Sequence, residues 1–406
     1  MKEQKLRRIA KAALISMILA IGASCMTGCS GSNEAQHETY ILYGAHANQP
    51  VIDETKFIDE ITKACAISKN KIVLISIEGS PVVVETYSIP KSGFMLLPSQ
   101  KERRAKTYST EILSDIAAIT PTTAECDYAA AFNRIANNIS PGTEVDIIVK
   151  GSGLSTQGIV DFTKGIIRRE AESLVEAVEA ENALPRFTDI QSVWWTGLGQ
   201  TSSPQESVSE NQYRRLEEFW TLYLEKGGAK DISISAGNSK SGSEAKAQLP
   251  PVTPVDLPQE DSIEYDGESK LSINKGANVI NEATLGGFLA DSASFVDTNK
   301  ATEVAKQIAP QLNNEKFIVA AFTAGDNNNQ YCTELSKERA ETFRNLLIDK
   351  GANKENLIAL GCGCGIDSGF TVRGLGTGPE ASVNRICVLV NANSETGRSL
   401  LAEYGD

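Results

Sequence analysis

Apolar positions along the chain recur in two periods, which divide it into strands and helices. Short, densely apolar runs predict strands at Thr39–Tyr43, Lys71–Ile77, Val82–Ile89, Glu144–Val149, Ser192–Trp195 and Asp231–Ser235. Between them the spacing becomes helical. Phe57, Ile61 and Cys65 fall on one face, as do Phe132, Ile135 and Ile139. Ser209 and Gln212 make a capping box ahead of Leu216, Trp220 and Leu224, and Gly227-Gly228 supplies the stop. Strand alternating with helix predicts a doubly wound, mostly parallel α/β sheet over residues 40–235, with helices on both faces. Val82–Ile89 follows Lys71–Ile77 too closely for a helical crossover, so it reads as a hairpin partner. Trp194, Trp195 and Trp220 read as packing residues.

The pattern stops at residues 236–270, where Gly and Ser and then Pro dominate. This segment reads as a flexible linker with a root-mean-square reach of about 30 Å, which would let two bodies move independently. Alternation resumes over 271–395. A helix is expected over Thr298–Leu312, with Val304, Ile308 and Leu312 on one face, and a strand at Phe317–Phe322. The polar loop Thr323–Gln330 then opens onto a helix carrying Leu335, Phe343 and Leu347, which Gly351 ends. Strands at Leu357–Leu360 and Arg385–Val390 complete an α+β body, and residues 396–406 read as a tail.

Chemistry at the two ends of the chain changes this picture. Lys2, Lys5, Arg7, Arg8 and Lys11 precede an apolar run, Ala12–Ala23, that is too short to span a bilayer comfortably. The run closes on Met26-Thr27-Gly28-Cys29, which resembles a bacterial lipobox. Residues 1–28 are then an export signal, Cys29 is the acylated first mature residue, and 29–39 is a polar tether. That resemblance implies a lipid anchor in the cell membrane, on its extracytoplasmic face, with palmitate or a similar acyl chain on Cys29. The full chain carries a formal charge of −13, and loss of the cationic 1–28 leaves it more acidic still. No basic run survives, which argues against a nucleic-acid partner.

Six further cysteines remain: Cys65, Cys126, Cys332, Cys362, Cys364 and Cys387. Disulfides are permitted outside the cytoplasm, and two cysteines fall in the first body and four in the second. Connectivity does not follow from sequence, and buried free thiols are the alternative. A bond from Cys332 to Cys362 or Cys364 would staple the Thr323–Gln330 loop. A Cys-x-Cys metal site has no histidine in this body to complete it.

The order of elements in the first body resembles a von Willebrand factor A-like domain. In that family a metal is held at the strand ends by an Asp-x-Ser-x-Ser loop, a Thr and an Asp before a Gly. Here Ser76-Ile77-Glu78-Gly79-Ser80 stands for the first loop and Lys150-Gly151 for the last, with Thr122, Thr123 and Asp127 near the middle position. The reading is a kept fold, a lost metal site and no cofactor. Gly197-Leu198-Gly199 lacks the third glycine of a dinucleotide loop. With only His37 and His46 left in the mature chain, a Ser-His-Asp hydrolase has little support.

The second body carries the sharper resemblance. Thr323-Ala324-Gly325-Asp326, then Tyr331 and Leu335-Ser336-Lys337-Glu338-Arg339-Ala340, and later Asn384-Arg385, resemble the OmpA-like peptidoglycan-associating domain. Phe288–Phe295 looks like its opening strand. The resemblance implies that Arg339 clamps the free carboxylate of a peptidoglycan stem peptide, with Thr323, Tyr331, Ser336, Asn384 and Arg385 around it. Ala324 stands where the family has the aspartate that pairs with the peptide amine, and Asp326 is a candidate replacement. The combined expectation is an envelope lipoprotein, not an enzyme. Its partners would be the membrane, through its lipid, peptidoglycan, and an unknown protein at the first body. The alternatives are a protein-interaction lipoprotein that no longer binds wall, and an enzyme using Glu78 and Asp127.

Overall fold

In the computed structural model, residues 37–49, 55–91, 97–237, 249–257, 262–272, 276–366 and 368–405 are described. The segment read as an export signal, Cys29 and most of the segment read as a tether lie outside them. The first body is a six-stranded sheet of β1 (His37–Tyr43), β2 (Asn70–Ser76), β3 (Val82–Ser88), β4 (Glu144–Lys150), β5 (Ile190–Thr196) and β6 (Asp231–Ser235). Their spatial order is β3-β2-β1-β4-β5-β6. Every neighbouring pair is parallel except β2 with β3, the predicted hairpin partner. Side-chain alternation feeds both faces: Tyr40 and Leu42 enter one core, and Ile41 and Tyr43 the other. The second face is covered by α1 (Thr55–Ala66) and α2 (Pro98–Ala118). The first is covered by α3 (Tyr128–Ala136), α4 (Ala171–Ala180) and α5 (Glu210–Lys226). The capping box forms at α5, where Ser209 accepts from the Gln212 amide and Gln212 from the Ser209 amide. Trp195 and Trp220 are fully buried, and their indole N–H groups donate to the carbonyls of Gly151 and Gly153.

The second body is a mixed five-stranded sheet of β7 (Ser262–Glu264), β8 (Ala277–Asn281), β9 (Phe317–Ala321), β10 (Leu357–Gly361) and β11 (Ile386–Asn391), ordered β10-β9-β11-β8-β7. One turn, α6 (Glu282–Leu285), with α7 (Thr298–Ile308) and α8 (Gln330–Asp349), packs on one face. Phe370 and α9 (Glu395–Tyr404) close the other.

Four expectations need correction. The opening strand of the second sheet is Ala277–Asn281, whereas Phe288–Phe295 is a tight excursion joined by a single bridge between its two phenylalanines. Residues 396–406 are not a free tail: α9 buries Leu400 against the sheet. The helix expected through Ile139 stops at Ala136.

The fourth correction concerns the linker. Ser262–Glu264 is a strand paired with β8, and residues 249–257 are strapped to the first body. Asn48 uses both ends of its carboxamide on Val252, accepting from its N–H at 2.8 Å and donating to its carbonyl at 3.3 Å. Gln205 does the same with Val255, at 2.6 and 2.9 Å. Val252 and Val255 are buried in the first core, and Thr253 donates to Glu125 at 2.7 Å. Two valines and two carboxamides thus anchor backbone that proline and glycine content had marked as unattached. The bodies also touch directly. Arg168 donates to the Phe370 carbonyl, Lys164 pairs with Glu380 at 2.8 Å, and Arg215 donates to the Ser262 carbonyl at 2.7 Å.

Candidate functional site

The residues singled out in the second body converge on the start of α8. Strand β9 delivers Phe322 and Thr323 beside the loop after β10, where the Thr323 amide and hydroxyl both donate to the Gly363 carbonyl, at 2.7 and 3.1 Å. Asn329 then caps α8, its side chain accepting from the Cys332 amide at 2.9 Å. Ser336, Arg339, Ala340 and Phe343 recur at helical spacing on the inward face of α8. Helix and strand approach closely here: a Cβ on Gly361 would lie 2.6 Å from the Lys337 amide nitrogen.

Arg339 is only 4% exposed. Its Nε donates to the Ser292 carbonyl at 2.9 Å and its Nη2 to the Leu289 carbonyl at 3.1 Å, while the guanidinium lies 5.1 Å from the Phe288 ring centre. It shares a cavity of about 10 Å³ with Arg385, Glu282, Phe288, Phe322 and Cys387. Arg385 pairs with Glu282 at 2.7 Å. Two guanidinium groups therefore face one carboxylate, which leaves a net positive charge for an anion. The cavity has room for about one water, too little for a carboxylate.

The other candidates divide by role. Tyr331 is 53% exposed and its hydroxyl donates to Asp291 at 2.9 Å. Ser336 donates to the Thr333 carbonyl and accepts from the Gly363 amide, and Asn384 clamps Val372 and Leu375 through three hydrogen bonds. Thr323, Ser336 and Asn384 are thus occupied in holding loops. Asp326 sits against Gly376 and near the Cys364 thiol and does not line the Arg339 cavity. The acid that lines the arginine cavity is Glu282. Sequence reasoning missed Glu282 and Phe288, and the Gly286-Gly287 pair with both glycines at positive φ was the available signal for a turn there.

All six cysteines are free. Cys65, Cys126, Cys362 and Cys387 occupy four separate cores on opposite faces of the two sheets, so none of these four can pair with another.

In the first body the carboxyl ends of the strands form the other candidate crevice. The first strand is β1, so the loop at its end is Gly44–Asn48; Ser76–Ser80, read from sequence as the first loop, follows β2. Lys150 is buried with its ammonium 5.1 Å from the Tyr43 ring centre and 5.4 Å from that of Phe57. Glu78 accepts from the Thr122 amide and hydroxyl, at 2.9 and 2.6 Å, and from Ser76 at 3.1 Å. Asp127 caps α3 through the Ala130 amide at 2.8 Å. Glu78 thus ties its loop to the Thr122 loop, and the Asp127 amide donates to the Glu78 carbonyl at 3.1 Å; the strap at 249–257 crosses the loops at Asn48, Ala124 and Gln205. Among the described residues, no group of three or more His, Cys, Asp or Glu could hold a metal. None of their helices is long and apolar enough to cross a membrane.

His46 lies in this crevice, 1% exposed, with Nε2 3.0 Å from the Thr123 carbonyl oxygen and Nδ1 without a partner. Burial holds its pKa below the usual histidine value, outweighing the carbonyl and the nearby Glu78 and Glu125. The unfolded chain therefore binds a proton at this residue more readily than the folded one. Its contribution is complete above about pH 6.5 and is lost as the pH falls below that. Urea midpoints should drop between pH 7 and pH 5.5, and His46→Gln should flatten that slope. An equal slope in both proteins would refute the assignment.

No protein-family model and no curated protein matches the chain. Among solved structures, the chain is similar to the periplasmic domain of Helicobacter pylori MotB, with 17% identity over 33% of this chain and 97% of that one, at a TM-score of 0.24. It is also similar to the conserved hypothetical protein BatB from Bacteroides thetaiotaomicron, with 15% identity over 52% and 95% of the two chains and a TM-score of 0.26. A third is the ArnB paralog VWA2 from Sulfolobus acidocaldarius, with 12% identity over 50% and 42% and a TM-score of 0.23. Similarity at this level does not establish a shared family. The chain is built on two mixed α/β sheets, the second of which places the buried Arg339 and the half-buried Arg385 along one cavity.

Proposed function

We propose that the chain is an envelope lipoprotein without enzymatic activity. It is anchored through Cys29 on the extracytoplasmic face of the membrane and contacts peptidoglycan non-covalently through its second body. The observation that carries this reading is the Leu-Ser-x-x-Arg-Ala run on the inward face of α8, with Arg339 and Arg385 lining one cavity against a single carboxylate. A stem peptide offers a free carboxylate, and paired planar guanidinium groups suit it. The first body is a von Willebrand A-like, metal-free module for a protein partner; the buried Lys150 at its strand ends supports that reading, because an ammonium there repels a divalent cation.

The test is co-sedimentation of the full chain with purified peptidoglycan. The wild type pellets with the wall, and Arg339→Ala stays in the supernatant. A second reading, a lipoprotein whose OmpA-like body binds only protein, is favoured by one observation: two guanidinium N–H groups of Arg339 are already spent on loop carbonyls. Failure of the wild type to pellet would select it.

A further inference from the structure

We propose that Cys332 and Cys364 form a thiol modification site that closes to a disulfide across the Thr323–Asn329 loop. Cys332 lies in the first turn of α8 and is partly exposed; Cys364 lies in the loop after β10 and is buried. Although 32 positions apart in the chain, their thiols are hydrogen-bond neighbours. Both crowd the same glycine: a Cβ on Gly325 would lie 2.5 Å from the Cys364 sulfur and 3.6 Å from that of Cys332. The surrounding contacts hold the pair in place. Asn329 accepts from the Cys332 amide and Asn328 from the Cys364 amide, both at 2.9 Å. The Cys364 thiol donates to the Asn327 carbonyl at 3.5 Å and lies 3.8 Å from the Thr323 hydroxyl.

Among the described residues, the remaining thiols offer no competing chemistry. Each sits in its own core, and burial pushes Cys65, Cys126 and Cys387 up to about 12 and Cys362 higher still. Burial and the neighbouring Cys332 also raise Cys364, to about 11, so the partly exposed Cys332 is the entry point. Its thiolate attacks a sulfur of an external disulfide, such as glutathione disulfide, and one glutathione leaves as thiolate. Cys364 loses its proton to solvent and attacks the Cys332 sulfur of the mixed disulfide, which expels the second glutathione. Two protein thiols and one glutathione disulfide give one protein disulfide and two glutathione molecules. The bond joins the first turn of α8 to the loop after β10 and fixes the Thr323–Asn329 loop between them.

The chemistry stands whether or not the second body binds wall, and the readout is covalent. The reduced full chain is incubated with glutathione disulfide, alkylated, digested and mapped by mass spectrometry. The expected product is one linked peptide joining Cys332 to Cys364, with Cys65, Cys126, Cys362 and Cys387 alkylated only after denaturation. Cys364→Ser should stop at a mixed disulfide on Cys332, and Cys362→Ser should still give the linked peptide. A stable Cys332–glutathione adduct in the wild type, or a link from Cys332 to Cys362, would overturn the proposal.

Discussion

Arg339→Ala is expected to lower the stability of the second body by about 3 kcal/mol, because it removes two charge-assisted hydrogen bonds and a cation–π contact together. The guanidinium pins the carbonyls of Leu289 and Ser292 and lies over Phe288, adding to a turn whose own backbone bonds run from the Leu289 amide to Ser294 and from the Ser292 amide to Leu289. Loss of the side chain frees that turn and leaves Arg385 and Glu282 as a neutral pair. Arg339→Lys should recover only part of the loss, since an ammonium cannot direct two N–H groups in the plane of the fork. Equilibrium denaturation monitors the effect. A change below about 0.5 kcal/mol, the scale of an ordinary surface substitution, would mean that the turn is held by something else.

Val252→Asp should be comparably severe, at about 3–5 kcal/mol, because it puts a carboxylate into the first core without a cation beside it. Val252 is 4% exposed, and the polar group bound to its backbone is the Asn48 carboxamide, whose donor and acceptor are both already in use. The expected outcome is release of the strap from Asn48, with rapid proteolysis near residues 249–257. Val252→Ile, which keeps an apolar β-branched side chain, should cost less than about 1.5 kcal/mol. Wild-type resistance in the aspartate variant would show that the strap is not anchored by this residue.

How much of this was legible beforehand depended on how local each signal was. Phe57, Ile61 and Cys65 announced α1, and Ser209 with Gln212 announced α5, because periodicity and capping are written within a few residues. Pro98–Ala118 was harder. Its inward positions, Ala105, Ser109, Ile112 and Ile116, include a serine and an alanine, so the apolar stripe is thin. The strap escaped notice for a different reason. Val252 and Val255 show no period, and what holds them is Asn48 and Gln205, separated from them in sequence by 204 and 50 positions. The spacing of Leu335, Phe343 and Leu347 pointed to α8 as a helix. It could not reveal that Arg339 bonds to carbonyls 47 and 50 residues away, nor that Glu282 rather than Asp326 is the neighbouring acid. Main-chain acceptors carry no residue-type signature, so contacts of this kind appear only once the chain is folded.

In the proposed function, a free carboxylate on a stem peptide binds at the Arg339–Arg385 cavity. Calorimetric titration of the full chain with a soluble stem peptide, and with the same peptide carrying a carboxamide in place of that carboxylate, tests it directly. The free acid is expected to bind, the amide to bind at least tenfold more weakly, about 1.4 kcal/mol, and Arg385→Ala to weaken the acid alone. Equal affinity for the two peptides, or no binding of the free acid by the folded wild-type chain, would contradict it.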